Sequence, residues 1–245
     1  GTVLQELVAE LPLLRQPVGE GACPLRGPVA RRMWHACHPF RHPFITPMAA
    51  VAGAVAEEII AAYRGEGVQR AWINNGGDIA LHLAPGQALH VGLFADVARF
   101  HPRQMHALPL DGRFEVSAAM PVRGIATSGW RGRSFSLGIA DSVTVLAATA
   151  AKADAAATVI ANAVNVRHAQ IRRQPANRLK DDSDLGDIEV TVDVPPLPPE
   201  LVAHALRAGA RRARELRADS FIHDAVLLCQ RQMFTLDAAA PLPAL

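Results

Sequence analysis

Aromatic side chains are scarce in this 245-residue chain: eight Phe, three Trp and one Tyr make up 5% of it. Half of the residues are hydrophobic all the same, so the core has to be built from Ala, Val, Leu and Ile. Cysteine is scarce too. Cys23, Cys37 and Cys229 are odd in number and far apart, which argues against a disulfide framework and for a reducing compartment, the cytoplasm. Neither sign of charge is in excess: the net charge is +2 with His neutral, and nothing demands a nucleic-acid partner. The basic run Arg211-Arg212-Ala213-Arg214, followed by Glu215, reads as a solvated helix face. No apolar run free of Gly or charge reaches the roughly 18 residues of a membrane span, so no membrane partner is expected. No basic-then-apolar segment opens the chain, and Gly1 reads as a tag scar or an internal start, which leaves room for a longer natural N-terminus. The sequence also lacks a nucleophile elbow, a GxxxxGK phosphate loop, a GxGxxG fingerprint and any fixed-period repeat.

What is present is organised. Residues 2–14 pattern as a short amphipathic helix, with Leu4, Leu7, Val8 and Leu11 on one stripe. Residues 17–47, rich in Pro, Gly and His, read as irregular and long for an ordinary loop. Residues 48–63 form a helix whose first half is small and apolar all round, which implies burial on every side. Gly53 inside it costs about 1 kcal/mol against Ala, so a close approach by a neighbour or ligand is expected there. A hairpin follows, with Ala71-Trp72-Ile73, a turn at Asn74-Asn75-Gly76-Gly77-Asp78, a strand at residues 79–83 and another at 89–94. Residues 125–129 are a strand entering a Gly turn. The strand at 142–147 runs straight into an Ala-rich helix at 152–166, an α/β-like unit. A strand at 188–194, a Pro-rich connection, a helix at 200–218 and a strand at 221–228 complete the chain. This pattern suits one domain over residues 1–245, of class α+β or α/β, with two lobes at most sharing a core.

Four groups of residues are able to carry chemistry. In Asn74-Asn75-Gly76-Gly77-Asp78 the glycines allow close backbone approach, and their N–H groups could cradle phosphate; a plain hairpin turn is the alternative. Thr127-Ser128-Gly129 sets two hydroxyls at a strand end, suited to a phosphate or a flavin edge, or to a polar turn. Asp154 and Thr158 lie four apart among alanines, one turn apart on one helix face. Together they could reach a hard cation such as Mg²⁺, or Asp154 could simply favour the helix dipole. His35, Cys37, His38 and His42 are transition-metal ligand types, but Pro39 and Pro43 break up their spacing. A histidine-lined loop over a pocket, able to act as acid or base, is the preferred reading.

The succession of these motifs is more specific than any one of them. PMAAVAGAVAE (residues 47–57), NGGDI (75–79), ATSG (126–129), the VTVLA strand (143–147) and ADAAAT followed by AN (153–158, 161–162) resemble the ApbE-type FAD:protein FMN transferases. The resemblance is closer to a side family related to them, and it covers roughly residues 46–166. It implies an ApbE-like duplicated T-fold-like core, with mixed sheets and packed helices. It also implies FAD or another flavin against Asn75, Gly76, Gly77 and Asp78, lined by Thr127, Ser128 and Gly129. Mg²⁺ would sit on Asp154 and Thr158, with a backbone carbonyl near Val51 or Ala52. Departures accompany the match. Ala52 stands where the transferases carry lysine, and residues 131–141 contain no H-x-x-D-P segment. Full FMN transfer to protein is therefore not expected. The expected function is flavin or nucleotide binding with Mg²⁺-dependent phosphoryl or flavin transfer or hydrolysis, and Asp78, His38 and His42 are the acid–base candidates. The alternatives are an enzyme for a small anionic metabolite, held by the histidine segment with Arg123, Arg131 and Arg133, and a non-catalytic flavin-binding protein. The all-small helix faces would suit a homodimer.

Overall fold

A computed structural model of the chain describes residues 2–93, 112–237 and 242–243. Its centre is a seven-stranded sheet in the order β1 (Arg70–Asn75), β2 (Asp78–Leu83), β5 (Gly124–Ser128), β6 (Ser142–Ala147), β9 (Asp224–Cys229), β10 (Gln232–Thr235) and β11 (Leu242–Pro243). Every ladder in it is antiparallel. The β6-to-helix step is therefore not part of a parallel unit, and the class is α+β. The hairpin of β3 (Ala88–Leu93) and β4 (Gly112–Ser117) covers one face of the sheet. Leu81, Leu83, Val116, Val122, Ile125 and Leu146 form the apolar layer between them. A separate ribbon joins β7 (Arg172–Pro175) to β8 (Glu189–Asp193).

Helices α4 (Val51–Ala61), α5 (Ala150–Ala163) and α6 (Pro199–Ala218) cover the other face, and α3 (Pro28–Cys37) lies against α4 and α5. Alanine explains how closely this layer packs. Ala150, Ala151, Ala153, Ala155, Ala156, Ala157 and Ala161 of α5 are all buried, and a helix with side chains this short can approach its neighbours at backbone range. A Cβ on Gly124 of β5 would overlap the Thr149–Ala150 peptide. A Cβ on Gly53 of α4 would lie 2.8 Å from the Ala151 nitrogen and closer still to the Ala150 carbonyl. The close approach expected at Gly53 is thus made by α5. Thr149 caps α5, its side chain accepting the Lys152 N–H at 3.3 Å.

Several element boundaries differ from the sequence reading. Residues 17–47 contain a regular helix, α3. Pro28 begins it, and Val29, Ala30, Met33, Trp34 and Cys37 recur at helical spacing on its buried face. The N-terminal helix divides into α1 (Val3–Ala9) and α2 (Leu11–Leu14) at Glu10, next to Pro12. Residues 47–50 form a 3₁₀ turn ahead of α4. Helix α5 starts at Ala150 and ends at Ala163, and the strand placed at 221–228 begins at Asp224. Phe94, assigned to a strand end, lies outside the described residues. Among the described residues, no helix is long and apolar enough to cross a membrane.

Candidate functional site

The β1–β2 turn consists of Gly76 and Gly77 alone, between the paired residues Asn75 and Asp78. Their φ angles are +73° and +116°, a region that favours glycine. Asn74 Oδ1 accepts the Gly77 N–H at 2.9 Å and closes the turn. Asn75 faces the helices, and its Nδ2 donates to the carbonyl of Ala52 on α4 at 3.1 Å. Asp78 follows on the same face. The β2–β5 ladder pairs only Ile79 with Ile125 and Ala80 with Gly124. Beyond it, Asp78 Oδ1 takes over and accepts the Thr127 N–H at 3.1 Å. Asp78 is buried, and burial pushes its carboxyl up to about 6 despite the Thr127 bond.

Asp154 lies near the start of α5, and its Oδ2 accepts the Gly53 N–H at 3.0 Å. Its carboxyl is held well above the usual carboxylate range, first by burial and then by the charge of Asp78, against the amides of Gly53 and Ala52. Two acids from separate motifs therefore face each other where α4, α5 and β2 meet. Thr158, half-buried, lies one turn further along the same face of α5. Among the described residues, no group of three or more His, Cys, Asp or Glu side chains forms a metal site. A cation here would need the carboxylate pair together with hydroxyl, carbonyl and water oxygens. That donor set suits a hard divalent ion.

The other candidates divide between the site and its surroundings. Strand alternation puts Ser128 on the helix-covered face with Asp78, and Thr127 on the opposite face. There the Thr127 hydroxyl meets that of Thr144 at 2.9 Å. Gly129 is packed against the backbone of Asp141. Arg133 Nη1 reaches to 4.0 Å from where a Cβ on Gly76 would be, so a cation stands beside the turn. Cys37 is fully buried, its thiol raised first by burial and then by Asp154 and Asp184. His38 stacks on Trp34 at 4.5 Å, and its imidazole is lowered by desolvation, then by Arg41 and His35, against Glu20. His42 Nε2 lies 3.1 Å from Glu20 Oε1, both exposed. His35 is exposed and packs edge-on to Trp34 at 5.1 Å. The interactions of these histidines thus run to Trp34, Arg41 and Glu20, not to Asp78 or Asp154.

Sequence reasoning missed three participants. Asp184 accepts the hydroxyl of the buried Thr46, which precedes the 3₁₀ turn leading into α4. Glu57 and Arg32 brace the α4–α5 crossing. Glu57 closes the PMAAVAGAVAE run, and its helical offset of four from Gly53 was the available signal.

A family model described as "AbpE bacteria" matches residues 1–235. The chain belongs to that family. Its similarity extends to archaeal proteins named UPF0280. It is 37% identical to one from Methanopyrus kandleri over 190 residues, 74% of this chain and 70% of the relative. It is 34% identical to one from Methanothrix thermoacetophila over 165 residues, 66% of this chain and 64% of that relative. For a third, from Methanothermobacter thermautotrophicus, the figures are 39% over 140 residues, 57% and 50%. This member of the AbpE bacteria family thus spans between 50% and 70% of the length of these relatives.

Proposed function

We propose that this AbpE bacteria family member binds a hard divalent cation between Asp78 and Asp154 and, beside it, a flavin or another nucleotide. The reaction is transfer or hydrolysis at a phosphoanhydride. The observation that carries this reading is the juxtaposition of two carboxylates from the NGGD turn and the ADxxxT helix, the motifs that resemble the ApbE-type transferases. When bound, the cation would neutralise charge on phosphoryl oxygens. The protein's own groups do the rest. The amides of Gly53 and Ala52 orient Asp154. Thr127 N–H orients Asp78, whose carboxyl, near 6 in the metal-free protein, exchanges its proton for the cation close to neutral pH. Arg133 beside Gly76 offers an anion a cationic turn, whose Gly77 N–H is already held by Asn74. With Ala52 in place of lysine and no H-x-x-D-P segment, flavin attachment to another protein is not part of the proposal.

Calorimetric titration of metal-stripped protein with FAD, with and without Mg²⁺, tests this reading. Binding that requires Mg²⁺ and is abolished by Asp154→Ala is the expected result, and an FAD turnover assay then separates enzyme from carrier. Absence of FAD binding under every condition would overturn the flavin reading and favour a small anionic metabolite held by the same turn and Arg133.

A further inference from the structure

Helices α4 and α5 cross at backbone range where Gly53 meets Ala150 and Ala151. Two carboxylates bracket the crossing in opposite senses. Asp154 of α5 accepts the N–H of Gly53 on α4 at 3.0 Å. Glu57, one turn along α4 from Gly53, accepts the N–H of Ala151 at 2.7 Å, and Ala151 lies about one turn before Asp154. Each helix thus offers a backbone donor to a carboxylate of the other. The second oxygen of Glu57 is occupied as well: Arg32 of α3 approaches it through Nε at 3.1 Å. The Arg32 guanidinium also reaches Glu58 Oε2 at 3.0 and 3.1 Å and the Ala54 carbonyl at 3.1 Å. The Glu57 side chain is 12% exposed, so water competes little for these bonds.

Thr149 takes the Lys152 N–H from within α5 itself, whereas Glu57 takes the neighbouring free donor, the Ala151 N–H, from a different helix. What Glu57 fixes is the register of the first turn of α5 against α4. That register decides where the Asp154 carboxylate stands relative to Gly53 and Asp78.

We infer that Glu57, held by Arg32, is a positioning residue for Asp154, setting the divalent-cation affinity of the site without touching the ion. The inference rests on the reading of Asp154 as a cation ligand, and its test separates the two. Metal-stripped full chain, as wild type, Glu57→Gln and Glu57→Leu, is titrated with Mg²⁺ by calorimetry. In the metal-free proteins the Gly53 amide resonance is followed by NMR. Glu57→Gln keeps an acceptor for Ala151 and should bind Mg²⁺ within about twofold of wild type, whereas Glu57→Leu should bind about 10-fold more weakly. The Gly53 amide should shift in the Leu variant and stay in place in the Gln variant. If Glu57→Leu does not fold, Glu57→Asp, one methylene shorter, is expected to show the same weakening and the same shift. Unchanged Mg²⁺ affinity together with an unmoved Gly53 amide overturns the inference. If the wild type takes up no Mg²⁺, the cation reading falls alone, and the Gly53 amide still decides whether Glu57 positions Asp154.

Discussion

The α4–α5 crossing and the β1–β2 turn both depend on glycine, for opposite reasons. At the crossing, Gly53 has ordinary helical geometry but no room, since a Cβ would run into the Ala150–Ala151 backbone. At the turn, a Cβ on Gly77 would meet nothing within 4 Å, and the constraint is its φ of +116°. One glycine is fixed by what surrounds it, the other by its own dihedral angle. Asn75 joins the two regions by donating to the Ala52 carbonyl, so the turn is tied to the crossing through one residue. The comparison also divides the labour: the crossing positions Asp154, and the turn positions Asp78.

The largest effect should come from filling the crossing. Gly→Ala inside a helix normally gains about 1 kcal/mol. Here backbone overlap cannot be relieved by a rotamer change, and Gly53→Ala should lose more than about 3 kcal/mol in urea denaturation. Gly124→Ala, which overlaps the Thr149–Ala150 peptide, should behave alike. A gain in stability at Gly53 would mean that the helices do not cross this closely.

Next in size is the pH dependence carried by Asp78. Its carboxyl rises from the ordinary value of 3.8 to about 6, so the folded state binds the proton more readily than the unfolded chain. The contribution is fully present below the unfolded value and is lost as pH rises towards 6. Wild type should therefore lose about 3 kcal/mol relative to Asp78→Asn between pH 3 and 7, most of it between 4 and 6. Mg²⁺ should restore wild-type stability above that window and leave the variant unmoved, because the cation competes with the proton. Parallel stability curves for the two proteins, without Mg²⁺, would remove Asp78 from a shielded position.

Gly77→Ala comes third. Its cost is dihedral strain alone, about 2 kcal/mol, and Mg²⁺ affinity should be retained because Asp78 stays tethered to the Thr127 amide. A loss as large as that of Gly53→Ala would erase the distinction between the two regions.

How much of this was legible in the sequence follows from the same contrast. The turn was readable because Asn-Gly-Gly-Asp determines its conformation locally. Gly53 was readable as a place of close approach, but its partner was not, since nothing in residues 48–63 names α5. The pairing of Asp78 with Asp154 was not legible even with the resemblance, which put Mg²⁺ on Asp154 and Thr158 and Asp78 against the flavin; only the fold brings the two carboxyls together. Helix α3 was missed because Pro, Gly and His dominate residues 17–47, although Pro28 and the spacing of Val29, Met33 and Cys37 marked it. Glu57 carried only its offset of four from Gly53, which does not name Ala151 as its partner, and nothing in residues 28–37 ties Arg32 to Glu57.

The smallest effects should fall on the histidines, which residue type alone made acid–base candidates. His38 contributes a face to Trp34, and His38→Ala should cost about 1 kcal/mol through the lost ring contact. His42 pairs with Glu20 in the open, with side chains 69% and 75% exposed. An ion pair so hydrated is worth little, and His42→Ala should change stability by less than about 0.5 kcal/mol. Both variants should take up Mg²⁺ like the wild type, because neither ring contacts Asp78, Asp154 or the groups that hold them. A weakened Mg²⁺ titration in His42→Ala would show that the segment after α3 closes onto the carboxylate pair when the ion is present, and would return the histidine to the site.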